Sequence, residues 1–385
     1  MTDEVVIFAC QHIKCARNTA QFQRSSAICD SFDTYILSRR KVCEEVAAES
    51  EKTISVGNGP VQRLLYPVFI IAYVFALRRS NKVRYVHTTH SPQTLAAGAF
   101  LQLLGFVWIA DIWDDPQLGV SLDRSESIMR RIAKTYNRVV FSFAKRRLGE
   151  ADLIVFALAP ELLSEYGVAP DAANVWTTTN GVDPKIVPRS SSQADTEPLR
   201  LVYIGPVTLE RGIETLLEAL QSLPSDCPLL SVELIGNVDS KTSSVIDRWD
   251  REAENRRHKV ITTGYVEHER AMERLSNADI GLCLLSIEVR NYNYAYPIKV
   301  FEYLAAGIPT ICTRTNGTEQ ILTDGESGIL VESGSTEAVM KAIDTLARNE
   351  EVRRRITSNA RKEAGAYTWG EINDELLRRI RSVTE

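Results

Sequence analysis

Short apolar runs separated by segments of helical length recur along this chain, and the pattern runs twice, once on each side of a polar stretch. In the first half the runs are VVIFAC at 5–10, VRYVHTT at 83–89, FVWIADIW at 106–113 and DLIVFAL at 152–158. Strands this apolar are covered on both faces, and strands separated by helices pair in parallel, because a parallel neighbour needs a long crossover where an antiparallel one needs only a tight turn. The segment 184–198, PKIVPRSSSQADTEP, has no apolar period and reads as a linker. The alternation then restarts with LRLVYIG at 199–205 and a helix over 212–223 with Ile213, Leu216, Leu217 and Leu220 on one face. LLSVELIG at 229–236, KVITTGY at 259–265, DIGLCLL at 279–285, a helix over 300–306, TICT at 310–313 and GILV at 328–331 complete it. The expectation is an α/β protein of two Rossmann-like, doubly wound domains, residues 1–185 and 186–366. Such sheets bind ligands beyond the carboxyl ends of their strands, here in a central cleft that the domains face.

Composition narrows the function. A length of 385 residues suits two cores better than one, and 44% hydrophobic with 25% charged residues excludes a disordered or fibrous chain. A net charge of −5 leaves no global basic footprint, which disfavours a dedicated nucleic-acid binder. Seven cysteines without a CxxC pair read as free buried thiols of a reducing compartment, with neither disulfides nor a metal expected. The start, MTDEVVIFACQ, is acidic where a secretory leader is basic, so the expected location is cytoplasmic. The longest apolar run, 64–77, has fourteen residues, short of the ~20 that cross a bilayer. No GxGxxG follows a predicted strand, which argues against a conventional NAD enzyme.

Two segments of the second half carry the chemistry. After the strand ending at Gly205, the loop PVTLERG leads into a helix near Gly212, so that helix-start amides and the Arg211 guanidinium are placed to converge on a diphosphate. The alternative is a solvated arginine at a helix start. In YPIKVFEYLAAGIPTICT, Pro297 opens a helix that puts Lys299 and Glu302 on one face. A carboxylate there can accept two ribose hydroxyls, and the amides near Ile298 and Lys299 suit phosphate oxygens; the alternative is an i,i+3 surface ion pair.

Taken in order, YIGPVTLERGIETLLEAL, VELIGN, VITTGYVEHERAMERLSNADIGLCLL, YPIKVFEYLAAGIPTICTRTNGTEQIL and DGESGILV resemble the carboxyl-terminal domain of GT-B glycosyltransferases of the family 4 type, the glycosyl transferases group 1. The similarity covers roughly residues 175–345, beginning with TTTNGVDP, and YTWGEINDELLRRI, near the carboxyl terminus, resembles the family's final helix, implying that 367–385 packs back on the first domain. The resemblance implies the GT-B fold and retaining, metal-independent, hexosyltransferase-like transfer from a nucleotide-diphosphate sugar. That donor is a substrate, and no cofactor is implied. Positive side chains and helix dipoles would stabilise the leaving diphosphate. By resemblance Arg211 matches the diphosphate-binding cation, Glu302 the ribose-binding glutamate, and 264–266, including Val266, the base-contacting backbone. Gly205, Pro297, Ile298, Lys299 and Val300 complete the implied donor site. Two positions depart from the family: Pro206 replaces a second phosphate-binding arginine, and Tyr294 stands eight residues before Glu302, where the family usually has a glutamate. Glu288 or Arg290 is a candidate to supply part of that function.

The acceptor side falls to the first half. In ADIWDDP, Asp111 is the first candidate to orient or deprotonate an acceptor hydroxyl, with Asp114 and Asp115 beside it; helix capping is the alternative. His90, in HTTHSP, is the second catalytic candidate, against a turn histidine. Arg17 and Asn18 either line the cleft or cap the first helix. Between 124 and 150, seven Lys and Arg side chains alternate with apolar ones, the pattern of a helix resting on an anionic membrane or of an ordinary half-buried helix. With the 64–77 run this suggests a glycan or lipid-linked acceptor and peripheral contact at the inner face of the cell membrane. The readings held beside transfer are a non-catalytic nucleotide-sugar sensor or partner protein, and a sugar-nucleotide epimerase.

Overall fold

The computed structural model describes residues 5–11, 13–14, 16–79, 83–119, 128–188, 198–251 and 257–384. The chain forms two compact units: the residues through Thr179 together with those from Trp369 onward, and Asn180–Thr368. The boundary expected at 185/186 falls six residues beyond this division, and most of the expected linker (189–197) lies outside the described residues.

In the first unit the strands are β1 (Val5–Cys10), β2 (Asp33–Ser38), β3 (Lys52–Ser55), β4 (Val83–Thr89), β5 (Val107–Ile112), β6 (Leu153–Phe156) and β7 (Val175–Thr177). They pair in parallel throughout, in the order β3-β2-β1-β4-β5-β6-β7. The helices between them are α1 (Ala20–Ser31), α2 (Glu44–Glu49), α3 (Pro60–Arg78), α4 (Pro92–Leu103), α5 (Ile128–Arg147) and α6 (Glu161–Glu165). One face of the sheet is buried under Phe22 and Ile28 of α1 and Val46 of α2, the other under Tyr66, Ile70 and Val74 of α3 with Ala97 and Leu101 of α4.

The second unit repeats the plan. Its elements are β8 (Leu199–Ile204), α7 (Ile213–Gln221), β9 (Leu230–Ile235), α8 (Ser240–Arg251), β10 (Lys259–Gly264), α9 (His268–Leu275), β11 (Ile280–Cys283), α10 (Arg290–Tyr294), α11 (Ile298–Ala306), β12 (Thr310–Thr313), β13 (Ile329–Val331), α12 (Thr336–Arg348) and α13 (Glu350–Ala364). Its parallel strands lie in the order β10-β9-β8-β11-β12-β13. The chain changes direction between β1 and β4 in the first sheet and between β8 and β11 in the second. These are the places where the loops beyond a doubly wound sheet diverge and leave a crevice. The last helix, α14 (Trp369–Thr384), packs on α1, β5 and β6, with Leu376 and Ile380 in the first unit's core.

The structure corrects several expectations. Strands β2, β3 and β7 lacked a long apolar run and were not anticipated; β3 and β7 sit at the sheet edges, where one flank is unpaired and short mixed sequences suffice. The 64–77 run belongs to the 19-residue helix α3, which is long and apolar enough to cross a membrane, so length does not exclude a span. Its inner face packs on the sheet: Tyr66 Oη lies within hydrogen-bond distance of the carbonyls of Cys10 (2.5 Å) and Leu37 (2.7 Å), which share its one proton, tying α3 to the sheet. Cys10, Cys29, Cys227, Cys283 and Cys312 are free and buried, but Cys43 is disulfide-bonded, against the expectation of thiols throughout. Spacing along the chain does not reveal which cysteines the fold brings within bonding distance.

Candidate functional site

The loop between β8 and α7 lies at the second sheet's switch point. Two glycines make its path feasible. Gly212 has φ +73°, and a Cβ there would lie 2.5 Å from Leu284 Cβ and 2.7 Å from the Leu284 carbonyl oxygen, so only glycine lets the turn rest on the end of β11. At Gly236, φ +145°, a Cβ would fall 2.0 Å from the Gly205 carbonyl oxygen, so the ends of β8 and β9 touch through bare backbone. The short 3-10 turn Leu209–Arg211 held on this platform delivers Arg211, whose guanidinium carbon sits 4.9 Å from the centre of the Tyr292 ring of α10. Residues from both sides of the switch point, after β8 and after β11, thus meet at Arg211.

Helix α11 brings in Lys299 and Glu302, and the surface ion pair between them does not form. Lys299 is 6% exposed; its Nζ stands 3.7 Å from the centroid of the Tyr203 ring and finds no hydrogen-bond partner. A Cβ placed on Gly205 would be 3.4 Å from that Nζ, so the ammonium lies directly against the open Cα at the end of β8. Glu302 is 3% exposed and accepts from His268 Nε2 at 2.7 Å. This hydrogen bond is the main cause that raises the His268 pKa above its ordinary value, against burial, which lowers it. Pro297 is the N-cap of α11 and Ile298 its first residue, so the helix starts at the position expected, with Lys299 and Val300 in its first turn. Val266 lies in the loop between β10 and α9, two residues before His268, and is partly buried against the core around Val300 and Phe301.

At the departures from the family pattern, Pro206 is exposed and its carbonyl accepts from Tyr203 Oη at 2.7 Å. The Tyr294 ring lies 5.6 Å from the Arg290 guanidinium carbon, and Glu288 is exposed. Sequence reasoning did not single out His268, nor the tyrosines Tyr203 and Tyr292. His268 is 34 residues from Glu302, and no local spacing signals that pairing.

In the first unit Asp111 ends in the core rather than at an open edge. It is fully buried, accepts from Arg24 Nη1, and accepts from His87 Nε2 at 3.1 Å. Burial pushes its pKa up, but the Arg24 charge and the His87 hydrogen bond outweigh it and hold the carboxyl below its ordinary value. Asp115 accepts from Gln117 N (2.8 Å) and from the Tyr166 hydroxyl. His90 follows β4 with its ring 5.0 Å from Trp113, edge to face, and its Nδ1 is buried without a partner. Burial lowers its pKa despite Asp114, Asp111 and Asp115 nearby, which keeps the imidazole neutral at neutral pH. Arg17 pairs with Glu45 at 3.0 Å, while Thr19 caps α1.

Residues 187–363 match the family of glycosyl transferases group 1. Among curated proteins, the phosphatidyl-myo-inositol mannosyltransferase of Mycobacterium leprae is 27% identical over 30% of this chain and 32% of its own length. The D-inositol 3-phosphate glycosyltransferase of Stackebrandtia nassauensis is 25% identical over 60% of this chain and 54% of its own. The glycogen synthase of Mycobacterium tuberculosis is 23% identical over 59% and 55%. The chain therefore spans about a third to just over half the length of these relatives. In overall fold it is similar to HepE of Anabaena, solved in complex with UDP, at a TM-score of 0.72 and 15% identity over 98% of this chain and 99% of that one. Sucrose-phosphate synthase of Thermosynechococcus elongatus gives a TM-score of 0.72 at 16% identity over 99% of both chains. The fold is that of GT-B glycosyltransferases: two Rossmann-like domains, each on a parallel sheet.

Proposed function

We propose that this protein is a glycosyltransferase that takes a sugar from a nucleotide-diphosphate donor held in its second unit. The observation that carries the reading is the Lys299 ammonium, nine-tenths buried, without a hydrogen-bond partner, beside the glycine end of β8. A cation withdrawn from water and left unsatisfied is destabilising by itself, and a bound anion removes the penalty. Arg211, at the same switch point, supplies a second positive group. The complexes of HepE with UDP and with UDP-glucose support a nucleoside diphosphate as that anion.

In this reading Arg211, Lys299 and the first turn of α11 (Pro297, Ile298, Val300) bind the diphosphate and stabilise the charge that grows on it as the sugar bond breaks. Glu302, held by the hydrogen bond from His268, accepts ribose hydroxyls, while Gly205 and Val266 border the donor. The reaction is retaining and of the family 4 type, as the sequence resemblance implies, and metal-independent, with side chains and helix amides supplying the positive charge that a metal would otherwise bring. The transferred group is a hexose, the acceptor a glycan or another lipid-linked molecule, and the site of action the cytoplasmic side of the membrane. On the acceptor side His90, neutral at neutral pH, is the group that takes or shares a hydroxyl proton. Asp111 acts through position, fixing α1 against β4 and β5.

Glu302→Ala tests the assignment directly. Loss of a charged hydrogen-bond acceptor costs about 1.5–3 kcal/mol, which is about 10- to 150-fold in donor affinity. Calorimetry against UDP-, GDP- and ADP-sugars, followed by transfer assays, reads it; full activity in the variant would sink the donor site as drawn. The departures Pro206 and Tyr294 favour a second reading, a nucleotide-sugar sensor, which would bind donor without transfer or hydrolysis. An epimerase would convert donor with no acceptor present.

A further inference from the structure

Helices α3, α4 and α5 form one layer on the first unit's sheet: α4 packs against both of its neighbours, and Tyr136 Oη of α5 donates to the Leu64 carbonyl of α3 at 2.5 Å. The outer side of this layer is apolar where a soluble surface is ordinarily polar. On α3, Tyr66, Ile70 and Val74 face the sheet, and the opposite stripe exposes Val61, Leu64, Leu65, Val68 and Phe69, with Val68 58% exposed. On α5 the exposed stripe carries Ile132, Val139 and Phe143, with Val139 65% exposed, beside exposed Arg131, Arg138 and Arg146. A single exposed leucine needs no explanation, but apolar stripes exposed on two helices of one layer do.

The charge on the layer is one-sided. Across α3, α4 and α5 there are nine Lys and Arg residues and no Asp or Glu, in a chain whose net charge is −5. That asymmetry selects the occupant. A second copy docking the same face would set this positive surface against itself, because a two-fold interface is self-complementary. A nucleic acid would leave the valines, leucines and phenylalanines against water. An anionic bilayer satisfies both: apolar side chains sink to the headgroup–acyl boundary, while arginines and lysines reach the lipid phosphates. The inner face of α3 (Tyr66, Ile70 and Val74) is packed into the core against the sheet, which favours α3 lying on the surface over crossing the bilayer.

We propose that the outer face of α3 and α5 is a peripheral docking surface for anionic lipid. It is independent of the donor site, whose residues all lie in the other unit. The experiment is sedimentation of the full chain with vesicles of phosphatidylcholine alone and with vesicles that also contain phosphatidylglycerol, at low and high salt. Binding is expected only to the second kind and is expected to weaken with salt, which screens charge. Arg131→Glu with Arg138→Glu is expected to lower the partition coefficient by about tenfold or more. Val68→Asp with Phe69→Ser is expected to lower it even at low salt. All four positions are exposed, and the circular-dichroism spectrum and melting temperature are expected to be unchanged in both variants, which confirms the fold. Equal binding to neutral vesicles, no binding to either, or binding unaffected by both variants would overturn the proposal. So would light scattering that shows a dimer dispersed by the same substitutions.

Discussion

His268 Nε2 donates to Glu302 Oε1 across 2.7 Å, joining the first residue of α9 to the middle of α11. The bond fixes the carboxylate from one side and leaves the direction of the second oxygen to the remaining surroundings.

The pH dependence of this pair follows from the raised pKa of His268. The folded protein holds the proton more tightly than the unfolded chain does. The resulting stability is complete below the ordinary histidine value of 6.5 and is lost as pH rises through the higher native value. The melting temperature is expected to fall across that window, and to fall less in His268→Gln. Proton NMR of the His268 ring is the direct check, and a midpoint at or below 6.5 contradicts the pairing.

Lys299→Met separates stability from binding. Removing a buried, unsatisfied ammonium is expected to leave the melting temperature unchanged or raise it. Affinity for nucleoside diphosphates is expected to drop by about 30-fold or more, from the lower end (about 2 kcal/mol) of what losing one partner of a buried charge pair costs. A clear fall in melting temperature without ligand would show that the lysine is structural.

In the first unit, Asp111→Ala leaves the Arg24 guanidinium buried without its counter-charge, which costs about 3–5 kcal/mol. Arg24→Met combined with Asp111→Leu is expected to recover much of that loss, because both charges leave together. Since the Asp111 pKa is depressed, the stabilisation is present above the ordinary carboxylate value of 3.8 and disappears as pH falls through the lower native value. Urea unfolding of the single and double variants at neutral and acidic pH measures both effects.

Gly212→Ala tests the loop platform. The φ of +73° and the 2.7 Å approach to the Leu284 carbonyl force the loop to move, at a cost of about 1–3 kcal/mol. Donor affinity is expected to fall along with the melting temperature, because Arg211 is the adjacent residue. Retained affinity would place Arg211 outside the donor site.

Much of the architecture was legible because the physics that produces it is local. A parallel strand buried on both faces must be apolar along its length, so VRYVHTT, TICT and LRLVYI read as strands and match β4, β12 and β8. Edge strands such as KTIS and VWT escape that constraint and were missed. In the site, Pro297 marked the start of α11 because its fixed φ and missing N–H suit a helix entrance, and Gly205 and Gly212 marked the loop that presents Arg211.

What the sequence determined by itself is therefore the alternation of elements, the two-unit plan, and the identity of Arg211, Lys299 and Glu302 as the chemically interesting residues of the second unit. Tertiary structure alone decided their partners. The fold turns Lys299 toward Tyr203 and Gly205 instead of Glu302, gives Glu302 to His268, and buries Asp111 between Arg24 and His87. Helical spacing can say that two side chains share a face. Which of them is desolvated, and against what, depends on elements that arrive from 34 or 87 residues away, and burial is what sets the strength of a charge and its proton affinity.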